Sequence, residues 1–479
     1  MTISLTDLHT LIPESFLTLA ICFILLLDQF LKPAQRNVTH YLSIATLAIT
    51  AWLVTRGYGD ATAFGGMFVR DGIAEALKVF VLLTTALVFV YARAYLADRG
   101  LYVGEYYVLC LFAVLGMLFL VSAGSLVIVY LGLELLALSS YALVALNRDS
   151  PLSSEGAMKY FVLGALASGM LLYGMSMIYG ATGTLDLSKI HAASAAATQS
   201  KLLLFGVVFV VVGIAFKFGA APFHMWVPDV YQGAPTAVTV FIGSAPKLAA
   251  FGMAYRVLES GLGGAGPHWQ QMLAVLAVAS LAIGNIAAIM QTNLKRMLAY
   301  STISHVGFLF LGLVNGAPSG YAAAMFYAIS YALTAAVAFG MILLLARAGF
   351  EAEEIDDFKG LNQRAPWYAF LMSLVMFSLA GVPPLFGFFG KLLVLKAAVD
   401  AGALWLAIVG AVFAIVGIYY YLRVVKVIYF DDADDATPLA APSDAPMRWV
   451  ISVNALALLV LGLTWGPLYA WCARSFGIS

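Results

Sequence analysis

Residues 201–258 read KLLLFGVVFVVVGIAFKFGAAPFHMWVPDVYQGAPTAVTVFIGSAPKLAAFGMAYRVL. Lys217 and Lys247 each stand inside an apolar run, and between them lie a Gly-Ala-Ala-Pro break, His224, Pro228 and Pro235. A lone lysine in hydrocarbon costs on the order of 3 kcal/mol on insertion scales unless it faces a bundle interior or water. Two of them in consecutive apolar segments require a shared reason.

The chain around this stretch is 479 residues long, 63% hydrophobic and 10% charged, with a mean hydropathy of +0.95. A soluble domain carries about 25% charged residues, so this is an integral membrane protein. Spanning about 30 Å of hydrocarbon takes about 20 apolar residues. The runs are continuous rather than short and alternating, which selects helices over a barrel. About fourteen helices are expected, near 11–31, 38–55, 72–94, 103–120, 122–145, 157–180, 203–230, 235–258, 269–290, 298–316, 321–346, 367–398, 402–430 and 448–470. The fourth and fifth are separated only by the turn residues Ser122, Ala123, Gly124 and Ser125.

Cys22, Cys110 and Cys472 lie in or beside apolar runs without ligand spacing and read as small packing residues. With zero net charge and no basic tract, nucleic acid is not indicated as a partner. The amino end lacks a basic region and a cleavage site, so the first apolar run is expected to remain as a helix. The alternate loops beginning with Lys32 and Arg36 hold fourteen Lys and Arg, against six in the set beginning with Arg56 and Arg70. By the positive-inside rule the first set is cytoplasmic and both termini face outward.

A second long unit, PWYAFLMSLVMFSLAGVPPLFGFFGKLLVLKAAV at 366–399, exceeds one straight crossing and carries Gly381, Pro383, Pro384, Gly387 and Gly390 in its middle. Prolines remove backbone donors, so an interrupted helix is expected, with Lys391 just beyond the break. The breaks fall in the seventh and twelfth helices, five apart. An odd period implies two inverted five-helix repeats, helices 4–8 (101–260) and 9–13 (261–430). Three helices precede them (1–100); a cytoplasmic loop and the fourteenth helix follow (431–479). That loop opens with Asp431, Asp432, Asp434 and Asp435, the densest acidic run, which reads as a solvated connector or a docking surface for a neighbouring subunit.

Glu134 lies in SLVIVYLGLELLALSSYALVAL with no other charge. Such an acid either fixes helix packing or relays protons, and intramembrane acids usually do the latter. A glutamate and a lysine within reach form a coupled pair whose charge state changes when one moves away. Several in a row make a route. His224 and His305 are neutral relay positions between the lysines, and no second His or Cys stands near either at metal-ligand spacing.

FKFGAAPFHMWVPDVYQGAPTAVTVFI, NLKRMLAYSTISHVG and AGVPPLFGFFGK resemble the antiporter-like proton-translocating subunits of respiratory complex I, the NADH–quinone oxidoreductase, over nearly the whole chain. The length leaves no room for the lateral helix of that family's largest members. The resemblance implies that Glu134 and Lys217 are the charge-switch pair, that Lys247 is the connecting lysine and that Lys391 is the terminal residue on the broken twelfth helix. His224 and His305 would lie on the central polar axis. It implies location in the bacterial inner membrane beside an M-like antiporter subunit and small membrane subunits, with membrane lipid around them. It also implies that NADH, FMN, Fe–S clusters and quinone are bound by other subunits; no dinucleotide fingerprint is present here. The rival assignment is the D-type subunit of a multi-subunit Na+/H+ antiporter.

Overall fold

Several helices in this chain begin on polar caps, and several end on left-handed glycines. The computed structural model describes residues 5–56, 59–197, 200–346, 349–432 and 444–478. The first helices are α1 (Leu5–Thr10), α2 (Ile12–Asp28) and α3 (Asn37–Thr55). A small antiparallel hairpin, β1 (Ala61–Ala63) and β2 (Phe68–Arg70), follows with Thr62 opposite Val69. Next come α4 (Gly72–Asp98), α5 (Gly104–Val121), α6 (Leu126–Val144), α7 (Pro151–Thr182), α8 (Leu187–Ala196), α9 (Lys201–Phe218), α10 (Trp226–Gly233), α11 (Thr236–Gly243) and α12 (Ala245–Ala254). The remainder is α13 (Gly266–Ile289), α14 (Leu294–Val314), α15 (Pro318–Leu345), α16 (Leu361–Arg364), α17 (Pro366–Ala380), α18 (Phe386–Asp400), α19 (Leu404–Phe430), α20 (Ala445–Leu463) and α21 (Trp465–Ser475).

Asp71 accepts from the Ala74 amide at 2.8 Å to start α4, and Asn293 accepts from Arg296 at 3.0 Å to start α14. Each satisfies a donor that the first turn leaves free. Gly219 (φ 77°) and Gly381 (φ 84°) end α9 and α17 in the left-handed region, where a side chain would be strained. Among the described residues, twelve helices are long and apolar enough to cross a membrane. Large apolar side chains such as Leu166 (61% exposed) and Ile415 (70% exposed) cover the outside, where hydrocarbon or a partner subunit is the fitting solvent. The molecule is a multi-spanning helical membrane protein.

Two segments stand at its centre. The apolar windows of α15 and of the α11–α12 segment are wholly enclosed by other helices, so every polar group on them faces protein. The Ser122–Ser125 turn does separate α5 from α6. Where one helix was expected over 235–258, the chain divides at Ser244, whose hydroxyl donates back to Val240 O at 2.5 Å, and then widens into a looser turn over Tyr255–Gly261. The last expected helix, 448–470, stops at Leu463 and α21 continues in its place. The hairpin and α8 fall between apolar runs, where hydropathy carries no signal. In the acidic loop, Asp431 pairs with Lys426 at 3.2 Å, while Asp434 and Asp435 lie outside the described residues.

Candidate functional site

Glu134 stands in the middle of α6 and points at the end of α9. Ser168 on α7 donates its hydroxyl to Glu134 Oε1. Glu134, Ser168 and Lys217 line one narrow cavity, with Tyr141, Tyr160 and Trp226 also at its wall. It offers about 20 Å³ to the centre of a water molecule, enough for one or two waters. Lys217 lies in the last turn of α9, where the helix dipole favours a cation. No ion pair within 4.0 Å joins the two charges. They face each other across the cavity instead.

Lys247, 3% exposed, comes from α12, one residue past the helix start at Ala245-Pro246. Its Nζ donates to Phe218 O at 2.8 Å and sits 5.6 Å from the centre of the Trp226 ring. Phe218 closes α9, so this carbonyl is one of those that a helix end leaves without a partner. Lys391 meets the same need at the second break. Its Nζ donates to Leu379 O at 2.8 Å and to Ala380 O at 2.9 Å, the last carbonyls of α17, and lies 5.0 Å from the Phe308 ring centre. Hydrogen bonds from a charged donor are worth about 1.5–3 kcal/mol each. Two of them offset the roughly 3 kcal/mol of placing a lysine in hydrocarbon.

His305 occupies the interior of α14 at 7% exposure. Its Nδ1 lies 2.6 Å from Tyr327 Oη on α15, and its Nε2 lies 3.1 Å from Tyr421 Oη on α19. Tyr421 Oη is 2.5 Å from Ser301 Oγ, and at the next residue Thr302 Oγ1 is 2.7 Å from Tyr331 Oη. His305, Tyr327, Tyr331, Ser330, Thr334 and Ser378 share a second small cavity of about 10 Å³. These hydroxyls had a readable signal: Tyr327, Ser330, Tyr331 and Thr334 fall at i, i+3, i+4 and i+7, a polar stripe on an otherwise apolar helix.

His224 stands apart from the other five. It lies half-buried in the connection between α9 and α10, its ring 6.5 Å from that of Tyr300, and its Nδ1 is buried without a hydrogen-bond partner. Among the described residues no group of three or more His, Cys, Asp or Glu is placed to hold a metal. A further charged pair is buried elsewhere in the chain: Lys78 on α4 and Glu14 on α2 meet at 2.7 Å, both almost wholly enclosed.

The fold, with Lys247, Lys391 and His305 buried among its helices, is that of a polytopic membrane protein that carries charge within its interior. The sequence profile described as NADH:quinone oxidoreductase/Mrp antiporter, TM matches residues 123–417. NADH-quinone oxidoreductase subunit N of Xanthomonas euvesicatoria is 55% identical over 98% of this chain and 96% of its own length. The protein of the same description from Thiobacillus denitrificans is 54% identical over 100% of this chain and 99% of its own. A chain of respiratory complex I from Thermus thermophilus with bound aureothin superposes with a TM-score of 0.84 at 32% identity, covering 96% of this chain and 99% of that one. A chain of the Mrp complex from Dietzia shares the fold, with a TM-score of 0.81 at 23% identity over 97% of both chains. The chain belongs to the NADH:quinone oxidoreductase/Mrp antiporter family of membrane subunits.

Proposed function

We propose that protons move through this chain along the row Glu134, Lys217, Lys247, His305 and Lys391, with the Glu134–Lys217 pair as the coupled gate. The chain is a proton-translocating membrane subunit of NADH–quinone oxidoreductase. NADH, FMN, the Fe–S clusters and quinone belong to partner subunits, and the transport here is driven by their redox reaction. The observation that carries the route is the pair of lysines seated on the open ends of broken helices: Lys247 on Phe218 O, Lys391 on Leu379 O and Ala380 O. A carbonyl cluster holds an ammonium without neutralising it, so the proton stays available. Between them Tyr231, Thr302, Tyr331 and Tyr327 supply hydroxyls toward His305, and transfer needs hydrogen-bond reach or a bridging water. His224 serves as a side position at the first break.

Fourteen crossings follow if α2 and the α17–α18 pair are added to the twelve apolar helices. The like treatment of both breaks, a left-handed glycine and a lysine on the freed carbonyls, supports two inverted repeats over 101–260 and 261–430, between an amino-terminal unit (1–100) and a carboxy-terminal one (431–479). The loop basicity supports termini on the periplasmic side of the inner membrane. Partners would be an M-like antiporter subunit, small membrane subunits and lipid. The D-type antiporter reading is weaker, because eight near full-length relatives at 51–55% identity are each described as NADH-quinone oxidoreductase subunit N. The test is the reconstituted complex carrying Lys217→Ala. Proton pumping should fall at least tenfold, with NADH oxidation slowed and assembly intact; full pumping would refute the gate.

A further inference from the structure

Two cavities lie end to end along the same pair of helices. The first is the Glu134–Lys217 cavity, which reaches Tyr160 on α7 and Trp226 at the start of α10. The second is larger, about 120 Å³, and polar, and opens at the end of the bundle where α10 finishes. Glu155, Lys159, Asp229, Gln232 and Arg296 line it, and Asp229 holds Lys159 at 2.7 Å and Arg296 at 2.8 Å. Asp229 is three residues beyond Trp226, and Gly156 is four before Tyr160, so each wall changes from one cavity to the other within a single helical turn, about 5.4 Å.

What stands between them is one layer of aromatic side chains. Tyr160 and Trp226 stack face to face, centroids 4.4 Å apart and planes 9° apart, with Tyr141 edge-on to Tyr160 at 4.6 Å. Both stacked residues are almost fully buried, at 4% and 2% exposure. Glycines of α7 flank the layer, Gly156 on the vestibule side and Gly164 on the cavity side. Trp226 is also held at its edge, Nε1 donating to Phe216 O at 3.0 Å, one residue from Lys217. The same ring lies 5.6 Å from Lys247 Nζ. A shift of α9 at Lys217 therefore pulls on the Trp226 anchor directly.

Resting on the transport reading above, we propose that the stacked Tyr160–Trp226 pair is the gate between a water-accessible vestibule at Asp229 and the Glu134–Lys217 cavity. Closed, the ring faces leave no room for a bridging water. When the Phe216–Trp226 anchor moves, the rings part and water joins the vestibule to the Tyr160 hydroxyl and the cavity behind it. Trp226 and Tyr160 are then positioning residues that control access to Glu134 and Lys217.

The test places a cysteine behind the gate, Ala167→Cys on α7, in the whole complex in oriented membrane vesicles. A small charged methanethiosulfonate is added from one face at a time, and modification at residue 167 is read by peptide mass. With both rings present, and with Trp226→Phe, labelling should be slow from either face. Trp226→Ala, or Tyr160→Ala if the first does not assemble, should speed it at least tenfold, from the Asp229 face only. Both should also raise passive proton leak when NADH is absent. Unchanged labelling in the ring variants, acceleration from the opposite face, or faster labelling with unaltered proton leak would each overturn the gate. Full pumping by Lys217→Ala together with opened labelling would instead refute the transport reading and leave the barrier's position standing.

Discussion

Replacing Lys391 by methionine keeps the length and flexibility of the side chain and removes its charge. In the native chain the ammonium satisfies Leu379 O and Ala380 O at the end of α17. Losing it leaves two carbonyls near the break without that donor, at about 1–3 kcal/mol each if no water replaces it. The same change removes an ammonium whose insertion costs about 3 kcal/mol. The two effects oppose each other, about 2–6 kcal/mol against about 3 kcal/mol, so net stability should change by no more than about 3 kcal/mol and the subunit should insert and assemble. Transport should not survive, because methionine can neither hold nor release a proton beside His305. The measurements are complex yield on native gels, NADH oxidation, and acidification of reconstituted vesicles. Normal yield with pumping reduced at least tenfold is expected. Full pumping at normal yield would refute the role of Lys391, and a loss of assembly would refute the energetic balance drawn from its contacts.

Tyr327→Phe removes the hydroxyl 2.6 Å from His305 Nδ1 and leaves the ring in place; a net stability loss near 1 kcal/mol and a several-fold drop in pumping are expected, read by thermal unfolding and vesicle acidification. Glu14→Gln should lower subunit yield strongly, since breaking a buried ion pair costs about 3–5 kcal/mol, and Glu14→Gln with Lys78→Met should restore it with pumping intact, because the pair is not part of the proposed row. Partial burial pushes the Asp229 carboxyl up, but hydrogen bonds from Lys159 and then Arg296 more than reverse this and hold it below the ordinary carboxylate range. A depressed carboxylate contributes stability above its unfolded value, near 4, that is lost only as pH falls through the folded one. The difference in thermal midpoint between the native complex and Asp229→Asn should accordingly stay constant from about pH 5 to 9 and shrink only below about pH 4.

Much of this protein is written locally. Membrane residence follows from composition, because each apolar run must satisfy its own backbone in hydrocarbon. Both helix breaks were legible, since Gly219, Pro222, Gly381, Pro383 and Pro384 limit helix continuation whatever surrounds them. The division at Ser244 also had a local signal, Gly243 before it and Pro246 in the first turn after it, which an unbroken helix over 235–258 passed over. Glu134, Lys217, Lys247 and Lys391 stood out because a charge in hydrocarbon is costly wherever it is placed. What satisfies those charges was decided only when the chain folded. The partners of His305 come from residues 22 and 116 positions away, and Lys247 reaches back 29 residues to Phe218 O. Lys78 falls inside the apolar run 72–94, yet its pairing with Glu14 depends on how α2 lies against α4. The aromatic layer of Tyr160 and Trp226 exists only because α7 and α10 pack side by side. Hydropathy reports the cost of burying a group, which is a property of the residue; it cannot report which group answers that cost, because that depends on helix rotation and approach set by packing across the whole bundle.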